Sequence, residues 1–127
     1  MAAELYSFLI EQGTTFQLEF EFTDDTGSKL DFTGFTAGMH IRESIKGIST
    51  ILELSTTVNN NGSKISFTGL NNDLQPSDGV ISVLISATDT DALNFPSAVY
   101  DLEIYGPGGY VARLLKGQIR LDKQVTR

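Results

Sequence analysis

The side chains able to perform covalent or acid–base chemistry are few and scattered. The sequence holds one histidine, His40, and no cysteine. Disulfides, thiolate chemistry, His-Cys zinc sites and nucleophiles activated by a second histidine therefore have nothing to be built from. His40 lies beside Arg42 and Glu43, and a lone histidine on the polar face of a strand reads as a solvated side chain. Asp24-Asp25 with Asp31 suggests calcium, but the segment lacks the spaced carboxylates and closing glutamate of an EF-hand loop. A turn whose carboxylates accept from their own backbone explains it better. Asp89, Asp91 and Asp101 invite a comparison with the carboxylate pair of glycoside hydrolysis. The first two fit a helix cap and first turn, and the third fits strand alternation. Gly106-Pro107-Gly108-Gly109 lacks the Lys-Ser/Thr of a phosphate-binding loop and reads as a hairpin turn. The expectation is no catalytic residue, no metal, no cofactor and no enzymatic activity.

The elements that must position any site fit one domain. The chain has 127 residues, 40% hydrophobic and 20% charged, enough for a single core without staples. No apolar run approaches the ~18 residues of a membrane span, and no basic stretch followed by an apolar one opens the chain. The formal net charge of −7 opposes association with a phosphate backbone, so neither nucleic acid nor membrane is an expected partner. The charge is uneven. Residues 1–112 carry a net −11, whereas residues 113–127 carry +4, supplied by Arg113, Lys116, Arg120, Lys123 and Arg127. A basic segment on an acidic body suits contact between copies of one chain or with an acidic neighbour.

Residues 14–23 alternate, with Phe16, Leu18, Phe20 and Phe22 on one face and Gln17, Glu19 and Glu21 on the other, the pattern of a half-buried strand. Asp24 to Ser28 should turn the chain, with a new strand beginning near Lys29. Asp31-Phe32-Thr33-Gly34 couples a carboxylate and a hydroxyl to a buried aromatic and a glycine bend. Ala37, Met39 and Ile41 then alternate with Gly38, His40 and Arg42. Gly47 punctuates a loop, Ile51 to Leu54 form a short run, and the Asn61-Gly62 step predicts a hairpin returning through Lys64 to Thr68. Gly69 to Gly79 reads as a surface loop and Val80 to Ile85 as an inner strand. Ser86 to Leu93 is the one plausible helical segment, capped by a hydroxyl or carboxylate and anchored by Leu93 and Phe95. Tyr100, Leu102 and Ile104 face inward, with the Tyr100 hydroxyl free to reach a neighbouring loop group. The Gly106–Gly109 turn leads back into Tyr110 to Leu121. Residues 1–4 and 123–127 look free to fray. Seven to nine short strands with one helical turn predict an all-β fold, a sandwich or small barrel. The aromatic residues Phe35, Tyr105 and Tyr110 sit on or beside loops, where they either staple the end of the fold or contact a ligand.

The order Glu11-Gln12-Gly13-Thr14-Thr15-Phe16, Asp31-Phe32-Thr33-Gly34-Phe35-Thr36, Ile41-Arg42-Glu43-Ser44, Ser86-Ala87-Thr88-Asp89-Thr90, Tyr100-Asp101-Leu102-Glu103 and Arg113-Leu114-Leu115-Lys116-Gly117 resembles a family of small tailed-bacteriophage structural proteins. The family includes the N-terminal domain of baseplate upper proteins and related tail or head-fibre attachment proteins. The resemblance spans nearly the whole chain. It implies an immunoglobulin-like or related antiparallel β-sandwich that docks onto the virion, a following fibre region carrying receptor binding. Here the sequence stops after Arg127, so any such region is expected on another polypeptide.

Together these readings predict a non-enzymatic virion structural protein, a multi-copy adaptor or decoration protein of the tail, baseplate or neck. Its expected partners are other virion proteins and further copies of itself, met through a basic edge formed by Arg113, Lys116, Arg120 and Lys123. Its expected location is the virion, assembled in the host cytoplasm. The alternatives are a carbohydrate-binding module using Tyr105 and Tyr110 on host glycan, and a capsid decoration or head-fibre attachment protein.

Overall fold

A computed structural model of the chain describes residues 3–44 and 50–124. The loop around Gly47, the basic residue Arg127 and the fraying expected at residues 1–2 and 125–127 lie outside the described residues.

Two sheets pack face to face. The strands are β1 (Glu4–Leu5), β2 (Phe8–Glu11), β3 (Phe16–Glu21), β4 (Thr36–Arg42), β5 (Leu52–Ser55), β6 (Lys64–Ser66), β7 (Val80–Ile85), β8 (Ser97–Tyr105) and β9 (Val111–Asp122), with one short helix, α1 (Ala87–Asp91). The larger sheet has six strands in the order β1-β9-β8-β4-β5, with β2 also on β9; the smaller has the order β3-β7-β6. Read with β3 as the second strand, β4, β5, β8 and β9 form one sheet and β3, β6 and β7 the other, the division of an immunoglobulin-like sandwich, with β2 joined to the last strand. Among the described residues the fold is thus an all-β sandwich with one short α-helix, as its turn spacing predicts.

Alternation explains the layers. In β4 the buried Ala37, Met39 and Ile41 alternate with half-exposed Gly38, His40 and Arg42, and in β8 buried Ala98, Tyr100, Leu102 and Ile104 alternate with Val99, Asp101 and Glu103. The inward residues meet Ile65, Ile81, Val83 and Ile85 of the smaller sheet in one core. Burying such a branched or aromatic side chain contributes about 1.5–3 kcal/mol. Phe16, Leu18 and Phe20 of β3 are only half-buried, because β3 is an edge strand.

Local turn chemistry follows the sequence closely. Asp24 Oδ1 accepts from the amides of Thr26 and Ser28 at 2.9 and 3.0 Å, and Asp31 Oδ1 accepts from the Thr33 amide at 2.9 Å and its hydroxyl at 2.6 Å. Phe32 is buried beyond this corner and stacks on Phe67 with ring centres 4.9 Å apart. Ser86 caps α1 by accepting from the Asp89 amide. Leu93 and Phe95, both 2% exposed, anchor the segment after it.

Four expectations are corrected. Lys64 to Ser66 does not return against Leu52 to Ser55; β5 pairs with β4, and β6 pairs with β7 in the other sheet. The Asn59–Gly62 turn is real, closed by the Asn59 amide on the Ser63 carbonyl at 2.9 Å, but it lies within a crossover between sheets. No strand runs from Lys29; only an isolated bridge joins Thr23 to Lys29. Glu4 does not fray, since β1 and β2 lie parallel to β9 with Glu4 opposite Leu115 and Ile10 opposite Leu121. Gln124 at the other end is tied as well, its amide donating to Gln12 Oε1 at 3.1 Å.

Candidate interaction surface

The larger sheet presents its outer face to solvent as a shallow trough of about 710 Å³. Its floor comes from alternate residues of three adjoining strands: Gly38, His40 and Arg42 of β4, Val99, Asp101, Glu103 and Tyr105 of β8, and Arg113, Lys116 and Gln118 of β9. Register places these in rows. Lys116 is opposite Asp101, Asp101 opposite His40, and His40 opposite Glu53 of β5; in the next row Arg113 is opposite Glu103 and Glu103 opposite Gly38.

Arg113 and Lys116 share this face although they are three positions apart, an odd spacing that regular strand alternation forbids. The pairing shifts between Leu102 and Glu103: Leu115 opposes Leu102 and Arg113 opposes Glu103. Leu114 is therefore the extra residue of a bulge, and Leu114 and Leu115 both turn inward, at 2% and 3% exposure. The bulge thus re-aims one side chain. Arg113 Nε lies 3.4 Å from Asp101 Oδ2 and its Nη2 3.6 Å from Glu103 Oε2. His40 Nε2 lies 3.1 Å from Glu53 Oε1. On its other side an Arg42 Nη2 stands 3.5 Å from His40 Nδ1; since arginine only donates, this contact fits a ring with its proton on Nε2.

The expected basic edge is therefore reassigned in two respects. First, β9 is not an edge strand, because β8 flanks it on one side and β1 and β2 on the other. Second, its four cations occupy three environments. Arg113 is engaged by Asp101 and Glu103. Lys116 and Arg120 are exposed on the outer face beside β1 and β2, opposite Leu5 and Leu9 respectively. Lys123 sits at the end of the sandwich, in a crevice with Gln12, Asp91 and Asn94. Among the described residues, Lys116, Arg120 and Lys123 make no ion pair. Leu5 and Leu9 are 79% and 49% exposed, so two cations and two apolar side chains form a stripe along the border of the sheet.

The loop aromatics divide likewise. Phe35 is half-buried and meets Phe32 and Tyr110 edge-on, with ring centres 6.3 and 5.9 Å apart; these two close the end of the sandwich. Tyr105 makes no ring contact with them and lies on the trough floor. Its hydroxyl donates to Glu103 Oε1 at 3.1 Å. Burial first, then the Glu103 hydrogen bond and the neighbouring carboxylates, raise the Tyr105 hydroxyl above the ordinary tyrosine pKa.

The carboxylates singled out for hydrolysis do not converge. Asp101 belongs to the trough, whereas Asp89, 8% exposed, accepts from the side chains of Asn59, Asn61 and Ser63. Burial opposes its ionisation, but those hydrogen bonds and one from Ser86 outweigh it and hold the carboxyl below its ordinary pKa. Asp91 is bonded by Gln124. A buried residue that alternation did not flag is Gln12: its Nε2 donates to the Leu93 carbonyl at 2.8 Å and its Oε1 accepts from Gln124. Beside it, Thr90 Oγ1 accepts from the Gly13 amide at 3.1 Å and donates to the Thr14 carbonyl at 2.7 Å. The Glu11-Gln12-Gly13-Thr14 and Ser86-to-Thr90 motifs are thus halves of one structural lock.

No protein-family model matches the chain, and no curated protein matches it significantly.

Proposed function

We propose that this chain is a non-enzymatic structural protein of a tailed-phage virion, a multi-copy adaptor or decoration module of the tail, baseplate or neck. The observation that carries the proposal is the stripe along β9 and the β1–β2 border, where Lys116 and Arg120 make no ion pair among the described residues and stand beside exposed Leu5 and Leu9. An acidic surface with apolar side chains between its charges is the complementary partner. Burying the two leucines supplies affinity, and the cations supply register and steering. With an acidic body elsewhere, a second copy or another acidic virion protein meets that description. The sequence motifs that carry the phage resemblance support this role from another direction. Asp31, Asp89, Thr90 and Tyr100 all direct their polar atoms into hydrogen bonds that hold the fold.

The test is quantitative mass spectrometry of purified particles of the virus that encodes the chain. The expected result is the protein in many copies per particle, retained after washing at moderate salt and released at high salt. Its absence from purified particles would overturn the proposal.

A further inference from the structure

Tyr105 lies across the outer face of the sheet instead of standing off it. An ideal Cβ on Gly38 would come within 3.2 Å of the Tyr105 hydroxyl oxygen and 3.3 Å of its ring, so the ring lies close over the bare backbone of Gly38 and would have to shift by a few tenths of an ångström to admit a side chain there. The hydroxyl end of the ring lies over β4 at Gly38, and the residue remains 36% exposed. The position is held from both ends: the hydroxyl is bonded to Glu103, and Glu103 is held in turn by Arg113, which also engages Asp101. The result is a pre-positioned aromatic surface with a fixed carboxylate–guanidinium rim inside a trough of about 710 Å³, a volume in the range of small-ligand sites.

We infer that this trough is a binding site for a neutral oligosaccharide, with Tyr105 as the stacking surface and Glu103, Arg113 and Asp101 as hydrogen-bonding partners for sugar hydroxyls. The chemistry of the site selects that class. A hydroxyl is both donor and acceptor, so it can bridge a carboxylate and an adjacent guanidinium simultaneously. The cations of the trough are balanced by Asp101 and Glu103 within it and Glu53 beside it, which leaves little net attraction for an anion. A peptide has less to hold. The floor is made of β4, β8 and β9, all interior strands whose backbone groups are already paired, so none offers a free edge for an added strand. Leu5 and Lys116 border both surfaces, but the two proposals rest on different observations: Lys116 and Arg120 beside Leu5 and Leu9 carry the virion proposal, and Tyr105 over Gly38 carries this one.

The experiment uses the full chain on an array of neutral hexose and N-acetylhexosamine oligosaccharides, followed by titration of the strongest binder under nuclear magnetic resonance. The expected result is saturable binding with shifts centred on Gly38, Glu103 and Tyr105. Tyr105→Ala should weaken it about tenfold or more, as loss of a central aromatic anchor does, with melting unchanged. Gly38→Ala should also weaken it, though less than Tyr105→Ala, because the new methyl pushes the ring aside by a few tenths of an ångström while removing no contact group. Tyr110→Ala should leave it intact. Failure of every oligosaccharide to bind, shifts centred on Phe35 and Tyr110, or affinity unaltered in both Tyr105→Ala and Gly38→Ala would each overturn the inference.

Discussion

The hydroxyl of Tyr100, on inward-facing β8, donates to the carbonyl oxygen of Tyr6 at 2.6 Å, fastening the link between β1 and β2 across the intervening β9. The same link approaches β9 so closely that a Cβ on Gly117 would lie 2.1 Å from the Tyr6 carbonyl oxygen. Two residues far apart in sequence, a tyrosine and a glycine, thus hold the N-terminal strands in parallel register. Those strands carry Leu5 and Leu9, the apolar half of the proposed docking stripe.

Tyr100→Phe should destabilise the fold by about 0.5–1.5 kcal/mol, the net worth of one neutral hydrogen bond, as read by urea denaturation. Burial is the main cause that pushes the Tyr100 hydroxyl far above the ordinary tyrosine pKa, with Tyr6 adding to it. In an alkaline ultraviolet titration, Tyr100→Phe should therefore lose the highest-pH component. A titration identical to that of the unaltered protein would contradict the assignment.

Gly117→Ala should release β1 and β2 from β9, since the obstacle it meets is backbone rather than a yielding side chain. Hydrogen exchange at residues 4–11 should accelerate while exchange across β4 and β8 stays slow. Protection at residues 4–11 equal to that of the unaltered protein would show that the close approach is not maintained in solution.

Asp89→Asn should cost about 1.5–3 kcal/mol at neutral pH, because it replaces a charged acceptor that organises Asn59, Asn61 and Ser63. The folded carboxyl titrates below the ordinary value. Its contribution is therefore fully present above the unfolded-state pKa of about 3.9 and is lost as pH falls through the lower folded-state value. Stability measured against pH should fall less steeply in the variant over that acid range. Parallel pH curves would remove Asp89 from this role.

What the sequence disclosed was mainly local. Alternation in Thr36–Arg42 and Ser97–Tyr105, the Gly106–Gly109 reversal and the Asp31 corner are each set by neighbouring residues, and each stands in the structure. The parallel docking of Phe8–Glu11 on β9 was hidden because no adjacent turn announces it, although Tyr6, Phe8 and Ile10 alternate. Asn61-Gly62 signals a reversal but carries no information on which sheet receives the chain, hence the misassigned β5–β6 pairing. The proposed basic edge failed as an edge for a related reason. Spacing alone reveals neither the Leu114 bulge that turns Arg113 toward Asp101 and Glu103 nor the position of Lys123 beyond the sheet face. Tyr105 was visible as an exposed aromatic, but its placement over Gly38 depends on pairing between β4 and β8.

The most direct test of the docking stripe is reversal of its charge. For the virion role proposed above, particles assembled with Lys116→Glu/Arg120→Glu protein should be compared by mass spectrometry with particles carrying the unaltered chain. Both side chains are exposed and make no ion pair among the described residues, so the purified variant should melt within a few degrees of the original. The expected result is loss of most copies from the particle despite that intact fold. A folded variant incorporated at the original copy number would contradict docking through Lys116 and Arg120.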